Sequence, residues 1–168
     1  MDLAALDLVA RILHIASVIV WVGHNWVNVV HTPVFRGALP ADPAEAVRDA
    51  CIGASKREHA IFRHASLIVW LTGVFLLWRR GDMIDALTLS GSSAVIGLGV
   101  WTGSLMVLNL WLIMWPHQKK VLGFVEAPTA ERLQCARITF LSSRVNTVLS
   151  IVTLVLMVAG AHAGWIFG

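Results

Sequence analysis

Four long apolar runs constrain this chain more than anything else in it. They cover residues 8–30, 60–78, 94–115 and 145–167. Each is about 19–24 residues long, and a helix rising 1.5 Å per residue needs about 20 apolar residues to cross a hydrocarbon core of ~30 Å. Together they take up most of the 168 residues, which explains why 57% of the chain is hydrophobic and only 14% charged. Soluble domains run nearer 45–50% apolar and 25% charged. The expected fold is therefore an all-α integral membrane four-helix bundle forming one domain over residues 1–168. Disordered, collagenous and disulfide-framework classes are excluded.

The polar segments set the expected orientation. Ten of the thirteen Lys and Arg fall in or beside the two long connections: Arg36, Arg48, Lys56, Arg57 and Arg63 at the first, and Lys119, Lys120, Arg132, Arg137 and Arg144 at the second. By the positive-inside rule these connections are cytoplasmic, and both termini face the periplasm or exterior. The first connection, 36–58, reads as an interfacial amphipathic helix after a turn. The second, 117–144, reads as helical near 130–137. Pro116 is expected to stop the third span. Trp78, Trp115 and Trp165 fit an interfacial belt. The segment 1–7 has no basic n-region or small-residue cleavage site, so no cleaved signal peptide is expected. The +3 net charge reads as cytoplasmic basic excess rather than a nucleic-acid surface. The expected location is a bacterial inner membrane. Cys51 and Cys135 form neither a C-x-x-C nor a C-x-x-C-H, which excludes a zinc ribbon and covalent c-type haem.

Seven histidines against ten Asp plus Glu is a surplus for a chain lying in lipid. In the first run His14, Ser17, Trp21, His24, Asn28 and His31 recur at spacings of 3 and 4 and share one helix face. Lipid cannot satisfy that face, so it points into the bundle. Hydrogen-bonded helix glue would explain Ser and Asn, but not three imidazoles. His14 and His162 lie at similar depth on the exterior side of the first and fourth spans, the arrangement that two axial ligands of a haem b require. His24 and His64 are a second, deeper pair on the cytoplasmic half. His59 and His117 read as solvated helix-end residues, and His31 is open between interface and ligand. A non-haem metal site competes, since imidazole also ligates Cu, Zn, Fe and Ni. However, the four runs hold no Asp, Glu or Cys to complete it. Gly97, Gly99 and Gly103, with Ser104, allow a close approach by a helix or a flat macrocycle. Asn109 can bond a propionate, a quinone or another helix. Arg144, at the entry to the fourth run, can meet a propionate or anionic substrate, or snorkel to headgroups.

Some of these segments resemble a known family. The stretch from Gly103 through Asn109 to Trp115-Pro116-His117-Gln118-Lys119-Lys120-Val121 is similar to the membrane domain of the bacterial membrane-bound urate hydroxylases. So are Arg144-Val145-Asn146-Thr147 and the small-residue tail reaching His162. The opening Leu13-His14-Ile15-Ala16-Ser17-Val18-Ile19-Val20-Trp21-Val22-Gly23 also resembles the HemJ-type protoporphyrinogen oxidases and the copper-resistance D proteins. The resemblance implies a haem b protein that transfers electrons or oxidises a small organic substrate. His14 matches the first-helix ligand of the HemJ-type enzymes. Their second ligand, a Lys of the third span, has no counterpart here before Lys119, and His162 is the expected substitute. The urate hydroxylases have about twice as many spans and a C-terminal cytochrome c domain. The expected partners are thus a second copy or a larger membrane complex, with a quinone or separate cytochrome c as redox partner. The alternatives are a haem-binding or haem-free accessory subunit of a larger membrane oxidoreductase complex, a small transporter whose histidines form a proton or metal path, and protoporphyrinogen oxidation.

Overall fold

A computed structural model describes residues 2–35 and 45–162, with side chains from residue 55 onward in the second stretch. Residues 163–167 of the fourth apolar run, including Trp165, lie outside the described residues, as do Arg36 and the side chains of Arg48 and Cys51. Every regular element among the described residues is helical: α1 (Leu3–His31), α2 (Glu45–Arg80), α3 (Met83–Leu87), a 3-10 turn (Gly91–Ser93), α4 (Ala94–Leu108), a π-helical segment (Asn109–Met114), α5 (Trp115–Val121) and α6 (Thr129–Ala161). Four stretches are long and apolar enough to cross a membrane: Leu3–His31, Ser55–Arg80, Gly91–Val121 and Thr129–Ala161.

Three boundaries differ from the sequence expectation, all in the direction of more helix. The expected interfacial helix of the first connection is continuous with the second span in α2. The fourth span begins at Thr129 rather than 145, so Arg144 lies in mid-helix. Pro116 does not stop the third span, because the chain absorbs the proline instead. Proline lacks an N–H and its ring crowds the carbonyl four residues back. The turn before it accordingly widens into the π segment, in which the Trp115 amide bonds to the Leu110 carbonyl. The helix then runs on to a Schellman end: the Phe124 amide bonds to Lys119 O (2.8 Å) and the Gly123 amide to Lys120 O (3.2 Å), with Gly123 at φ +74°. The Lys120–Glu131 ion pair and an Arg132 bond to Val121 O (3.0 Å) tie α5 to α6.

The helices pair α1 with α2 and α4 with α6, and the two pairs close into a bundle through the lighter α1–α6 and α2–α4 contacts. Its polarity is that of a protein in lipid. Ile19, Leu112 and Val155 point outward and exposed, while Ser17, Asn25, Ser66, Ser142, Asn146, Thr147 and Ser150 are buried. Trp21, Phe62, Ala65, Met106, Leu110 and Met114 form the apolar centre. Lipid is as apolar as Leu, so the bundle gains little from burying aliphatics. Close packing and interhelical hydrogen bonds hold it together instead. Asn109 and Asn146 supply the central ones. Asn109 Nδ2 donates to Asn146 Oδ1 (2.8 Å) and Ser142 O (3.0 Å), the Ser142 hydroxyl donates to Asn109 Oδ1 (2.6 Å), and Asn146 Nδ2 donates to Met106 O (3.2 Å). Of its three sequence options, Asn109 bonds another helix.

Candidate functional site

The polar face of α1 points into the bundle along most of its length: Ser17, Trp21 and Asn25 are buried, and His14, His24 and Asn28 are half-buried. Only His31, at the C-terminal end, is exposed. Two separate cavities open against this face.

The first cavity, about 80 Å³, is apolar and lies between the α1–α2 and α4–α6 pairs. His14, Trp21, Gly73, Gly99, Gly103 and Met157 are among its walls, and among the described residues no charged one is. His14 Nδ1 lies 3.0 Å from Val69 O and 3.0 Å from Thr72 Oγ1. The Thr72 hydroxyl itself donates to Ile68 O (2.6 Å), so both neighbours of Nδ1 act as acceptors. The proton therefore sits on Nδ1, and Nε2 keeps a free lone pair. Glycine makes this placement possible, since a Cβ at Gly73 would meet His14 Cε1 at 3.2 Å. The indole Nε1 of Trp21 is buried on the same wall without a partner.

The second cavity, about 210 Å³, is polar. His24, Asn25, Asn28, His59, Gln118 and Arg144 line it, together with the rings of Phe35, Phe62 and Phe140. Asn28 Nδ2 donates to His24 Nε2 (2.7 Å), so His24 carries its proton on Nδ1 and donates it to Glu58 Oε1 (2.8 Å). The ring stacks on Phe62 with centroids 3.9 Å apart and meets His59 edge-on at 5.4 Å. Gln118 Nε2 donates to His59 Nε2 (3.0 Å), so the His59 proton sits on Nδ1, which is buried without a partner. Arg144 donates to Thr32 O at the end of α1 and to Ser143 Oγ (3.2 Å), and it lies over the Phe140 ring at 4.1 Å.

The structure thus distributes the expected site residues unequally. His14 faces a cavity. His162 caps the end of α6, exposed, with Nδ1 bonding to Val158 O of its own helix (2.8 Å), and it does not line the cavity that holds His14. The neighbour of His24 is His59, not His64. His64 is exposed and bonds to Ala60 O (2.7 Å) of its own turn. Because α2 starts early, His59 lies well inside a helix instead of at a solvated end. For the same reason a carboxylate, Glu58, stands beside His24, where the sequence boundaries had left none. Even so, no group of three or more His, Cys, Asp or Glu placed to hold a metal ion occurs among the described residues. Asn25, Glu58, His59 and Gln118 are the site residues that sequence reading missed. For Asn25 the available signal was its i+4 spacing from Trp21 on the polar face. For Gln118 the one signal was its place in the Pro116-His117-Gln118-Lys119-Lys120 stretch of the resemblance; helical spacing offered none, because the helix was expected to end at Pro116.

These features define a multi-pass helical membrane bundle with an imidazole-bearing apolar cavity and a cation-bearing polar one. No family model, curated protein or solved structure matches the chain.

Proposed function

We propose that this protein is a membrane haem b protein that transfers electrons or oxidises a small organic substrate, with His14 as an iron ligand. The single observation that carries the reading is the placement of His14: an imidazole on the wall of a glycine-lined cavity, with Nδ1 engaged by the α2 backbone and no hydrogen bond to Nε2 among the described residues. Haem-ligating imidazoles are held in this way, with the second nitrogen bonded to a carbonyl that fixes ring and tautomer. His14 fits the ligand role. Gly73, Gly99 and Gly103 line the cavity with their open faces packed against His14, Met157 and Thr153, and Trp21 Nε1 offers an unused donor. Bound haem supplies one-electron redox chemistry, while the chain supplies ligand, orientation and a water-poor surrounding. At about 80 Å³ the closed cavity is below the ~300–1,000 Å³ of ordinary cofactor sites. Loading therefore requires the α1–α2 and α4–α6 pairs to part at their lighter contacts. The resemblance to the urate hydroxylases supports the small-substrate class, and the basic connections support an inner-membrane protein with termini outside, working with a second copy or a larger complex and a quinone or cytochrome c.

Protein purified from haem-replete cells is expected to show a Soret band and a pyridine haemochrome of haem b, both lost in His14→Ala. Absence of Soret absorbance in the wild type refutes the reading. His162→Ala decides the second ligand: loss of a bis-His spectrum assigns the His14–His162 pair, and an unchanged spectrum removes His162 from the ligand set. Urate-dependent haem reduction in membranes tests the substrate.

A further inference from the structure

The geometry points to the second cavity as a binding site for an oxyanion group, a carboxylate or phosphate, with Arg144 as its cation. This inference stands on the polar cavity alone and does not depend on haem in the first.

Three observations carry it. The first is charge. Among the described residues Arg144 is the only one lining the cavity with a fixed charge, and no carboxylate among them lines it or pairs with this guanidinium. Glu58, the nearest acid in the network, is turned to His24 Nδ1 on a neighbouring surface pocket. A guanidinium with no acid partner, half-buried on the wall of a polar cavity, is a place where an anion is expected. The second is donor count. A guanidinium has five N–H donors, and Arg144 bonds only Thr32 O and Ser143 Oγ. The remaining donors are available for the fork geometry that carboxylates and phosphates accept. The third is the uncompensated wall. Asn25 is 1% exposed and its Nδ2 has no partner, and the Nδ1–H of His59 is buried without one. Leaving a buried donor unpaired is costly, so two of them on the wall that holds Arg144 describe a cavity deficient in acceptors. An anion supplies acceptors. Phe35, Phe62 and Phe140 form the apolar remainder, which suits a small organic body attached to the charged group.

The same chemistry is offered by a free organic acid and by an anionic lipid headgroup, and the test separates them. Detergent-purified wild-type protein is heated with benzoate, with its neutral isostere benzamide, and, in a separate arm, in nanodiscs of phosphatidylglycerol or phosphatidylcholine. Thermal stabilisation by benzoate but not benzamide assigns a free acid. Stabilisation only by phosphatidylglycerol over phosphatidylcholine assigns a headgroup. Either effect is expected to fall at least tenfold in apparent affinity in Arg144→Gln and to survive in His14→Ala. Arg144→Lys guards against misfolding: it keeps the charge without the fork and should retain a weakened anion response. Equal responses to benzoate and benzamide with no lipid preference, or an anion response unchanged in Arg144→Gln, overturns the assignment.

Discussion

Alanine at Gly160 is expected to wedge α4 and α6 apart, whereas alanine at Gly103 is not. A Cβ built at Gly160 meets Ile96 N at 2.7 Å, Ile96 Cβ at 2.7 Å and Ile96 Cα at 2.8 Å. Ordinary contacts between such atoms begin near 3.5 Å, so the helices must separate by roughly 0.8 Å. No side-chain rotation relieves this, because two of the three atoms are backbone. Overpacking of this kind costs about 1–3 kcal/mol, against about 1 kcal/mol of helix propensity gained by replacing glycine with alanine. Gly160→Ala is therefore expected to destabilise by up to ~2 kcal/mol. At Gly103 the nearest atom is Thr153 Cγ2 at 3.6 Å, an ordinary contact, and the substitution should be neutral or stabilise by up to ~1 kcal/mol. Gly99 falls between, since its neighbour is the flexible end of Met157 at 3.2 Å. Gly97 belongs with Gly160, because its Cβ would run into the Ala86 carbonyl. Equilibrium unfolding in mixed micelles, followed by circular dichroism, measures the series. A Gly103→Ala protein less stable than Gly160→Ala refutes the packing reasoning.

Asn146→Leu removes bonds to Asn109 and to the Met106 carbonyl from a site that is 0% exposed. Interhelical bonds in membranes average about 0.6 kcal/mol with a ceiling near 1.7, so a loss of about 1–2 kcal/mol is expected. A double-mutant cycle with Asn109→Leu should show coupling, and strict additivity would count against the network. Gly73→Ala puts a methyl 3.2 Å from His14 Cε1 and should lower haem content per protein, read by Soret absorbance, while leaving the helical spectrum unchanged. A full haem complement in that variant would detach His14 from the cofactor.

The site shows where the sequence stopped being informative. The polar face of α1 was legible because Ser, Asn and His stand out against Val, Ile and Leu at helical spacing. Near the site α2 carries Glu58, His59, Arg63, His64 and Ser66 on more than one face, so no single face stood out. His59 and His64 are five residues apart, about 140° around a helix. One therefore enters the bundle when the other leaves it, and nothing in the local pattern chooses between them. In water the exposed face would be polar and would set the rotation. Here polar side chains stand on both faces, so packing decides.

The sequence by itself determined a helical membrane protein with four spans and an imidazole-bearing face on the first, because length, apolar content and a 3.6-residue period are local properties. Only the tertiary structure decided which groups meet. It carried the third span past Pro116 through a π turn, which brought Gln118 to His59. It extended α6 back to Thr129, which set Arg144 beside the end of α1. It also left His14 facing a cavity that His162 does not line. These pairings join residues 59 and more apart in the chain. They depend on helix rotation and register, which a hydrophobic pattern immersed in lipid does not encode.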